Sequence, residues 1–572
     1  MYYCNETDSP GCDPLDGETI SMTKTGDGVF SGEASGLSSP YDLRDDISFL
    51  VIVNDTSGVL NPPVLTQVTL NELRPIFRSV GVGNTIALSD GASNNLLISN
   101  SIANFSVALA DNIGVGDALQ YDSDNDNIID SVAFIHERID SQNYRVANIE
   151  GAPVNDLSVI DNNWSLFRAY TSMVNAENGT ENTGLDDAIE NFDIWTSGFD
   201  ITAKNNTWNI AFYADGYDIT TSRIEWYGWT SSEANYLRLF TPRLPSEVGV
   251  SQRHSGSFDQ SKHYVLVDAS GDYARGIVLN TLGVIIDGLQ VKVVSNGHGW
   301  TTGIYSIFDG SSNQARYTIK NNIVHGISPQ VPATADGNGG IKLGSTDSKF
   351  SEYRVANNIV YGFKKNYLSY GIHVKGKGFI YNNTVYNCYT GFYIDLGGGA
   401  ILKNNLVQKV SDSIRGNALI LASESESNIY YESDTGYAPS DRVINSIDFV
   451  SAESHDLRLS GSSYNAIGAG VDLTLDEYLP LDKDVSGTIR TRWDIGASTA
   501  ANSVFRSIGP GNSGSLKGGS DKELSISLNE FGHSVMSLQN GSIDLPLNIG
   551  VGDVVQYDQD KMGGVDNLAF IP

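Results

Sequence analysis

A two-residue alternation of apolar and polar positions dominates this chain. Asp117-Ala-Leu-Gln-Tyr121 and Ser131-Val-Ala-Phe-Ile135 each place apolar side chains on one face of a strand. The densest pattern runs as Tyr317-Thr-Ile-Lys-Asn321-Asn322-Ile-Val, Tyr353-Arg-Val-Ala-Asn357-Asn358-Ile-Val, Phe379-Ile-Tyr-Asn382-Asn383-Thr-Val and Ile401-Leu-Lys-Asn404-Asn405-Leu-Val. Successive Asn pairs lie 36, 25 and 22 residues apart, which fits one rung length with a longer loop in the first step. Asn suits a sharp corner because it tolerates left-handed backbone angles and bonds to nearby backbone, and stacked Asn side chains can form a ladder. Ile285-Ile-Asp287-Gly-Leu-Gln-Val and Ser427-Asn428-Ile-Tyr read as degenerate rungs.

A different period precedes this body. Leu166, Phe167, Tyr170, Met173 and Val174 fall on one helical face, continued by Leu185, Ile189 and Phe192. The spacing predicts an amphipathic helix that covers the open end of the rungs. A longer repeat brackets the whole. Ile113-Gly-Val-Gly-Asp-Ala-Leu-Gln-Tyr-Asp122 returns as Ile549-Gly-Val-Gly-Asp-Val-Val-Gln-Tyr-Asp558, and Phe77-Arg-Ser-Val-Gly81 returns as Phe505-Arg-Ser-Ile-Gly509. The expected layout is a β-rich leader over 1–60, a small β module over 61–153 and a helical cap over 154–195. A repeating body over 196–500 follows, then a second module copy over 501–572 that stops short of its counterpart, as if the full protein were longer.

The Asn-Asn-x-Val rungs resemble those of right-handed parallel β-helix proteins of bacterial surfaces and phage appendages. The closing stretch, His455-Asp-Leu-Arg-Leu459, Ser463-Tyr-Asn-Ala-Ile-Gly-Ala-Gly470, Asp484 to Arg490 and Trp493-Asp-Ile-Gly-Ala497, resembles the last rungs of such proteins. The resemblance covers roughly residues 195–500. It implies an all-β fold, a right-handed parallel β-helix (solenoid) with an N-terminal capping helix, flanked by small β-rich repeated modules. The family includes structural proteins, adhesins, tailspikes, and polysaccharide lyases and hydrolases, so the fold leaves function open.

Composition sharpens this picture. Charged residues make up only 18% of the 572, while glycine alone numbers 59, as suits many short strands joined by tight turns. The net charge of −32 repels phosphate backbones and anionic membranes, which argues against nucleic acid as a partner. No run reaches the ~18 apolar residues of a membrane-spanning helix. The start, Met1-Tyr-Tyr-Cys-Asn-Glu6, lacks the basic and apolar regions of a signal peptide, so the chain is assembled in a cytoplasm or Met1 is not the natural start. Of three cysteines, Cys4 and Cys12 are either a local disulfide or two thiols, and Cys388 reads as a small buried side chain.

Chemistry is sparse in the sequence. Asp122, Asp124, Asp126 and Asp130 have the oxygen-rich spacing that wraps a hard cation such as Ca²⁺, with a solvated acidic turn as the alternative. The second copy keeps Asp558, Asp560 and Asp566 but carries Met562 in place of the third Asp. Asp395, with His373, Lys375 and Lys377 one rung earlier, are candidates for acid-base work, against the plainer reading of a solvated face. Trp226 and Trp229 are candidates for stacking on glycan rings, against the plainer reading of an early rung packed against the capping helix. Arg253, His254 and the nearby His263 are candidate acid-base groups, with Arg253 and His254 bonded to backbone carbonyls as the alternative. The expected function is a non-enzymatic structural protein: a rigid extracellular fibre, spike or appendage on a cell surface or virion. It would associate with itself or neighbouring subunits and contact surface polysaccharide, without membrane insertion. The alternatives are a polysaccharide-degrading tailspike, lyase or hydrolase, and a glycan-binding adhesin.

Overall fold

The computed structural model describes residues 73–500 except 196–197, 308–314, 328–336, 345–350, 396–398, 417–423, 432–439 and 445; beyond those bounds it describes only the backbone of short strands. The described chain is nearly all β, with three parallel sheets and one large antiparallel sheet.

The first parallel sheet has eight strands, running from Arg74–Val80 and Asn206–Phe212 at one end to Ala400–Lys403 at the other. The second has nine, from Asp218–Thr220 to Arg442–Val443, and the third has seven, from Ile224–Tyr227 to Asp412–Arg415. The chain visits the three in turn. Arg316–Lys320 lies in the first, Ile323–Ile327 in the second and Gly339–Leu343 in the third, before Glu352–Ala356 returns to pair beside Arg316–Lys320. From Asn206–Phe212 to Ala400–Lys403, each crossover within the first sheet therefore consists of strands in the other two sheets. Register holds from turn to turn, as in Val324↔Val360↔Val385↔Val407.

Those valines point inward. With Ile319, Val355, Ile380 and Leu402 of the first sheet and Ile304, Ile341, Ile372 and Phe392 of the third, they belong to one continuous buried core. Facing the valines is a column of glycines, Gly303, Gly340, Gly371 and Gly391, each second in its strand or directly after the first position. A Cβ on Gly371 would stand 2.5 Å from Val385 Cγ1 and 2.9 Å from the Gly391 carbonyl oxygen, so only glycine lets the two sheets close.

The paired asparagines divide their labour. The first of each pair, Asn321, Asn357, Asn382 and Asn404, takes left-handed φ between 53 and 58° and turns the corner from first to second sheet. The second points inward as a ladder. Asn322 Nδ2 donates to Asn358 Oδ1 (3.0 Å), Asn358 to Asn383 (3.0 Å), Asn383 to Asn405 (3.1 Å) and Asn405 to Asn428 (2.9 Å). Each amide also donates to a backbone carbonyl of the preceding turn, such as Asn383 Nδ2 to Val355 O at 2.8 Å. Buried amides are thus satisfied in both directions. The degenerate rungs join in: Asn428 extends the ladder, and Gly288-Leu289 stands in place of the Asn pair at the corner, with Gly288 at φ 84° and the Leu289 N–H donating to Asn322 Oδ1 (2.8 Å).

The antiparallel sheet runs in the order Ser89–Asp90, Trp164–Phe167, Ala118–Tyr121, Ser131–Arg138, Asn143–Ala147, Ile102–Phe105, Leu96–Ser99 and has its own core around Phe105, Leu119, Ile135 and Trp164. Buried ion pairs tie it to the parallel body. Arg168 reaches Asp117 (2.8 Å) and Asp215 (2.8 Å), and Arg78 donates to Asp193 (2.9 Å), which also accepts the Tyr170 hydroxyl (2.6 Å). Asp117 and Arg78 belong to the two recurring motifs, and these motifs touch: Ser79 N–H donates to Gly116 O (2.9 Å), where Gly116 has φ 89°. In the second copy the backbone pairs Val554 with Phe570, the register that Ala118 and Phe134 have in the first.

Four expectations change. The helix expected across 154–195 shortens to Met173–Asn178, capped by Ser172 and ended by Gly179 at φ 68°. Leu166 and Phe167 are strand instead, because Trp164–Phe167 pairs with Ala118–Tyr121. Asparagine side chains take over the backbone partners a longer helix would need, Asn182 Nδ2 donating to the carbonyls of Asn84 and Arg168. The segment still closes the end of the core, through Tyr170, Met173, Leu185 and Ile189. Arg74–Val80, expected within the small module, is the end strand of the first parallel sheet.

The closing stretch His455 to Ala497 forms no parallel rung. Phe449–Ser451 and Asp456–Leu459 pair antiparallel, and the rest is held in turns by Asp484 and Asp494, whose carboxylates accept backbone N–H groups such as those of Thr488 and Gly468. These residues lie across the outer faces of two sheets. Leu473 and Leu479 pack on Phe379, Tyr381 and Ile401 of the first sheet, while Leu457, Val485 and Ala497 pack on Tyr361 and Tyr386 of the second. Cys4 and Cys12 lie outside the described residues. Cys388 is buried in the core as expected, and burial pushes its thiol up to about 12.

Candidate functional site

With the first and second sheets covered, the third keeps an outer face on which the described residues of the closing stretch make no hydrophobic cluster. Strand pairing there sets one outward side chain of each turn beside the next: Tyr305 opposite Lys342, Lys342 opposite His373, His373 opposite Tyr393 and Tyr393 opposite Arg415. Two residues further along, Lys375 stands opposite Asp395. His373 and Asp395 are thus brought together as the sequence expected, because both lie at matched positions of adjacent strands. His373 Nε2 is 3.9 Å from Asp395 Oδ2, and Lys375 Nζ is 3.6 Å from the same oxygen. Lys377 goes elsewhere. It opens strand Lys377–Tyr381 of the first sheet, its ammonium over the rings of Phe379 and Tyr478.

His373 is only 7% exposed and wedged edge-on against Tyr370 (5.1 Å) and Tyr393 (4.5 Å). Among the described residues neither ring nitrogen has a hydrogen-bond partner, and 3.9 Å to Asp395 is too long for one. Burial, with Lys342 and Lys375 nearby, holds the imidazole well below its usual pKa, so it is neutral at pH 7. Lys342 is lowered too, first by burial and then by Arg275 and Lys375. Arg275 lies 3.7 Å over the Tyr305 ring, with the Lys342 ammonium 5.3 Å from that ring. The sequence reading passed over Arg275, Tyr305 and Lys342, and only turn-to-turn register reveals that they neighbour His373.

The same sheet edge carries a second overlooked feature. Tyr273 and Trp300 lie two residues before Arg275 and Thr302, which pair with each other. Both have left-handed backbone, φ 67° and 55°, and their rings are parallel within 9° at 6.4 Å. Tyr273 is 60% exposed. Bulky residues in this region are uncommon and persist where surrounding structure imposes them.

Trp226 and Trp229 cannot stack on a glycan. They are 0% and 4% exposed and pack in an aromatic cluster with Trp195, Phe199 and Trp208 at the start of the core. Alternation in Ile224–Tyr227 sends Trp226 inward and Tyr227 outward. Arg253 and His254 fulfil the plainer reading. Arg253 pairs with Asp287 (2.9 Å) and donates to the carbonyls of Thr241 and Asp287, and His254 Nε2 donates to Asn321 O (2.9 Å). His263 is buried against Asp218 (2.9 Å).

The acidic loop gathers three of its four predicted ligands. Carboxylate oxygens of Asp122, Asp124 and Asp130 lie within 4.8 Å of one another, whereas Asp126 stands outside that group and accepts Ile128 N–H (2.9 Å). The buried Asp122 carboxylate also accepts the N–H groups of Asn125 (2.7 Å) and Asn127 (2.6 Å), so the turn is held by its own backbone as well. Charge repulsion from Asp126 raises the Asp124 carboxyl. The donor set fits a hard cation bound through three carboxylates.

Searches against protein-family models and curated proteins return no match for this chain.

Proposed function

We propose that the three-sheet body is a right-handed parallel β-helix and that the protein is a rigid structural element, a spike, fibre segment or appendage, displayed outside a cell or on a virion. One observation carries this reading: the unbroken Asn322–Asn358–Asn383–Asn405–Asn428 ladder beside three sheets in constant register. Such a body is held by contacts between successive turns and resists bending and cutting. Nine strands at the usual spacing extend roughly 40 Å along the axis. On this reading the loop Asp122–Asp130 stiffens the antiparallel module with a Ca²⁺ ion held by Asp122, Asp124 and Asp130, and partners are neighbouring copies or structural subunits. Cryo-EM of the native particle or cell surface tests the assignment. Rods repeating along a surface appendage are expected; a protein found only free in solution, attached to nothing, overturns it.

A second reading, turnover of a surface polysaccharide, is favoured by the neutral His373 lying between Lys375, Asp395 and two tyrosines. Hydrolysis by paired carboxylates lacks its second partner, since Asp395 is the one carboxylate among the described residues of this cluster. Proton abstraction by His373 is the chemistry that remains. An assay for new reducing ends on acidic polysaccharides decides it: release that His373→Gln abolishes establishes turnover, and none leaves the structural reading.

A further inference from the structure

We infer that Lys403 and Asp476 become joined by an amide bond between their side chains, formed by the folded chain itself, which fastens the closing stretch to the last strand of the first sheet. The inference goes beyond the structural role and does not depend on it. Strand register sets up the pair. Lys403 ends strand Ala400–Lys403 opposite Tyr381, and a parallel bridge places Glu426 beside it in the next turn. Asp476 arrives from the closing stretch, in a turn anchored by Leu473 and Leu479, which pack on Phe379, Tyr381 and Ile401. Lys403 Nζ then lies 2.7 Å from Asp476 Oδ2. Among the described residues every other lysine–carboxylate pair is 3.6 Å apart or more, so this amine alone touches a carboxyl group.

Three further features separate this contact from a surface salt bridge. The Lys403 side chain is 15% exposed and that of Asp476 4%, and the Tyr381 ring lies 5.5 Å from the ammonium, so little water reaches the pair. Asp476 Oδ1 accepts two backbone N–H groups, from Tyr478 and Leu479, each at 3.0 Å. Donors so placed hold the negative oxygen of a tetrahedral intermediate. Glu426 Oε1 stands 3.9 Å from Nζ, in position to carry a proton after a small side-chain shift.

The step balances without a co-reactant, and nothing is oxidised or reduced. One proton crosses from Nζ to Oδ2, leaving an amine and a carboxylic acid. The Nζ lone pair attacks Cγ, and the negative charge passes to Oδ1. Glu426 carries a second proton from the nitrogen to Oδ2, the Cγ–Oδ2 bond breaks and water departs, so that Nζ, keeping its third proton, is bonded to Cγ. Burial is the largest influence on Asp476 and opposes its charge, although the bonds from Lys403 and the backbone hold the carboxyl below its usual range. Amide formation discharges both groups and removes that cost. Groups held in one folded chain meet at an effective concentration of ~10⁵ M or more, and a single turnover per molecule suffices.

The test is mass spectrometry of the full chain, purified folded, incubated at neutral pH and then reduced and denatured. The intact mass is expected to fall short of the sequence by one molecule of water. Trypsin spares an acylated lysine, so the digest should contain residues 378–409, uncut at Lys403, joined to residues 459–483. Fragmentation of that branched peptide places the link on Lys403 and Asp476, a readout that needs no variant. Lys403→Arg keeps a cation beside Asp476 but should restore the full mass, as should Asp476→Ala. Glu426→Gln should form the link about a hundredfold more slowly, the loss of a proton carrier. An intact mass equal to that of the sequence, a water loss that survives Lys403→Arg, or a link that maps to other residues overturns the inference.

Discussion

At the residue scale, the paired asparagines show how one amino acid serves two unlike ends. Asn383 is inward and fully bonded: its Oδ1 accepts the Asn358 N–H and amide, and its Nδ2 donates to Val355 O and Asn405. Asn383→Ala leaves those groups buried and unpaired, and chemical denaturation should show a loss of at least ~2 kcal/mol. Its neighbour Asn382 has left-handed φ of 53° and a buried amide with no partner among the described residues. Asn382→Gly is therefore expected to fall within ~1 kcal/mol of the parent, since glycine takes the same φ and removes the orphaned amide. The sequence announced the pairs but could not say which member faces in. The acidic loop gives a second test at this scale. Asp124 is exposed, so Asp124→Asn should leave the melt without added metal unchanged. Ca²⁺ at 100 times its dissociation constant should stabilise the parent by about 2.7 kcal/mol and this variant by less. A parent melt unmoved by Ca²⁺ identifies the loop as a solvated turn.

At the scale of elements, sheets and corners were legible because their signals are local. Alternation gives the strand and Asn the corner, and both are written within a few residues. The helix failed for the converse reason. Leu166, Phe167, Tyr170 and Met173 match a helical stripe, yet they also serve as a strand followed by an irregular cap, and pairing with Ala118–Tyr121 decides for the strand. The closing stretch misled in the same way. Its apolar residues are spaced like rungs but cover the outside of the first two sheets. The glycine column of the third sheet left a signal that was available, a glycine before Ile304, Ile341, Ile372 and Phe392 in strand after strand, whose meaning lies in the facing valines. Gly371→Val forces a side chain into the space held by Val385 and is expected to cost about 1–3 kcal/mol in urea unfolding. Restoring volume with Val385→Ala in the same chain should recover part of that loss, which a purely backbone effect would not allow.

At the scale of the whole molecule, buried neutral histidines set the response to acid. His254 donates from Nε2 to Asn321 O and accepts Gly256 N–H at Nδ1, and burial takes its pKa down to about 3. Burial takes His325, stacked on Tyr361, down to about 4. Both folded values lie below the ordinary ~6.5 of an unfolded histidine, so the unfolded chain takes up protons first as pH falls. Stability is full above pH ~6.5 and declines as pH drops toward 4, by about 1.4 kcal/mol per pH unit for each such histidine. Melts at pH 7 and 5 should show the decline, and His325→Phe, which keeps a stacking ring, should make it shallower. By itself the sequence determined an all-β chain of Asn-cornered turns, a motif repeated at both ends, and the nearness of His373 to Asp395. These follow from short periods and from positions one turn apart. Tertiary structure alone decided that Trp226 and Trp229 are core, that residues 449–500 cover two outer faces, and that Arg275, Tyr305 and Lys342 gather around His373. The physical reason is that burial and the adjacency of distant turns belong to the packed sheets, and no stretch of chain encodes them locally.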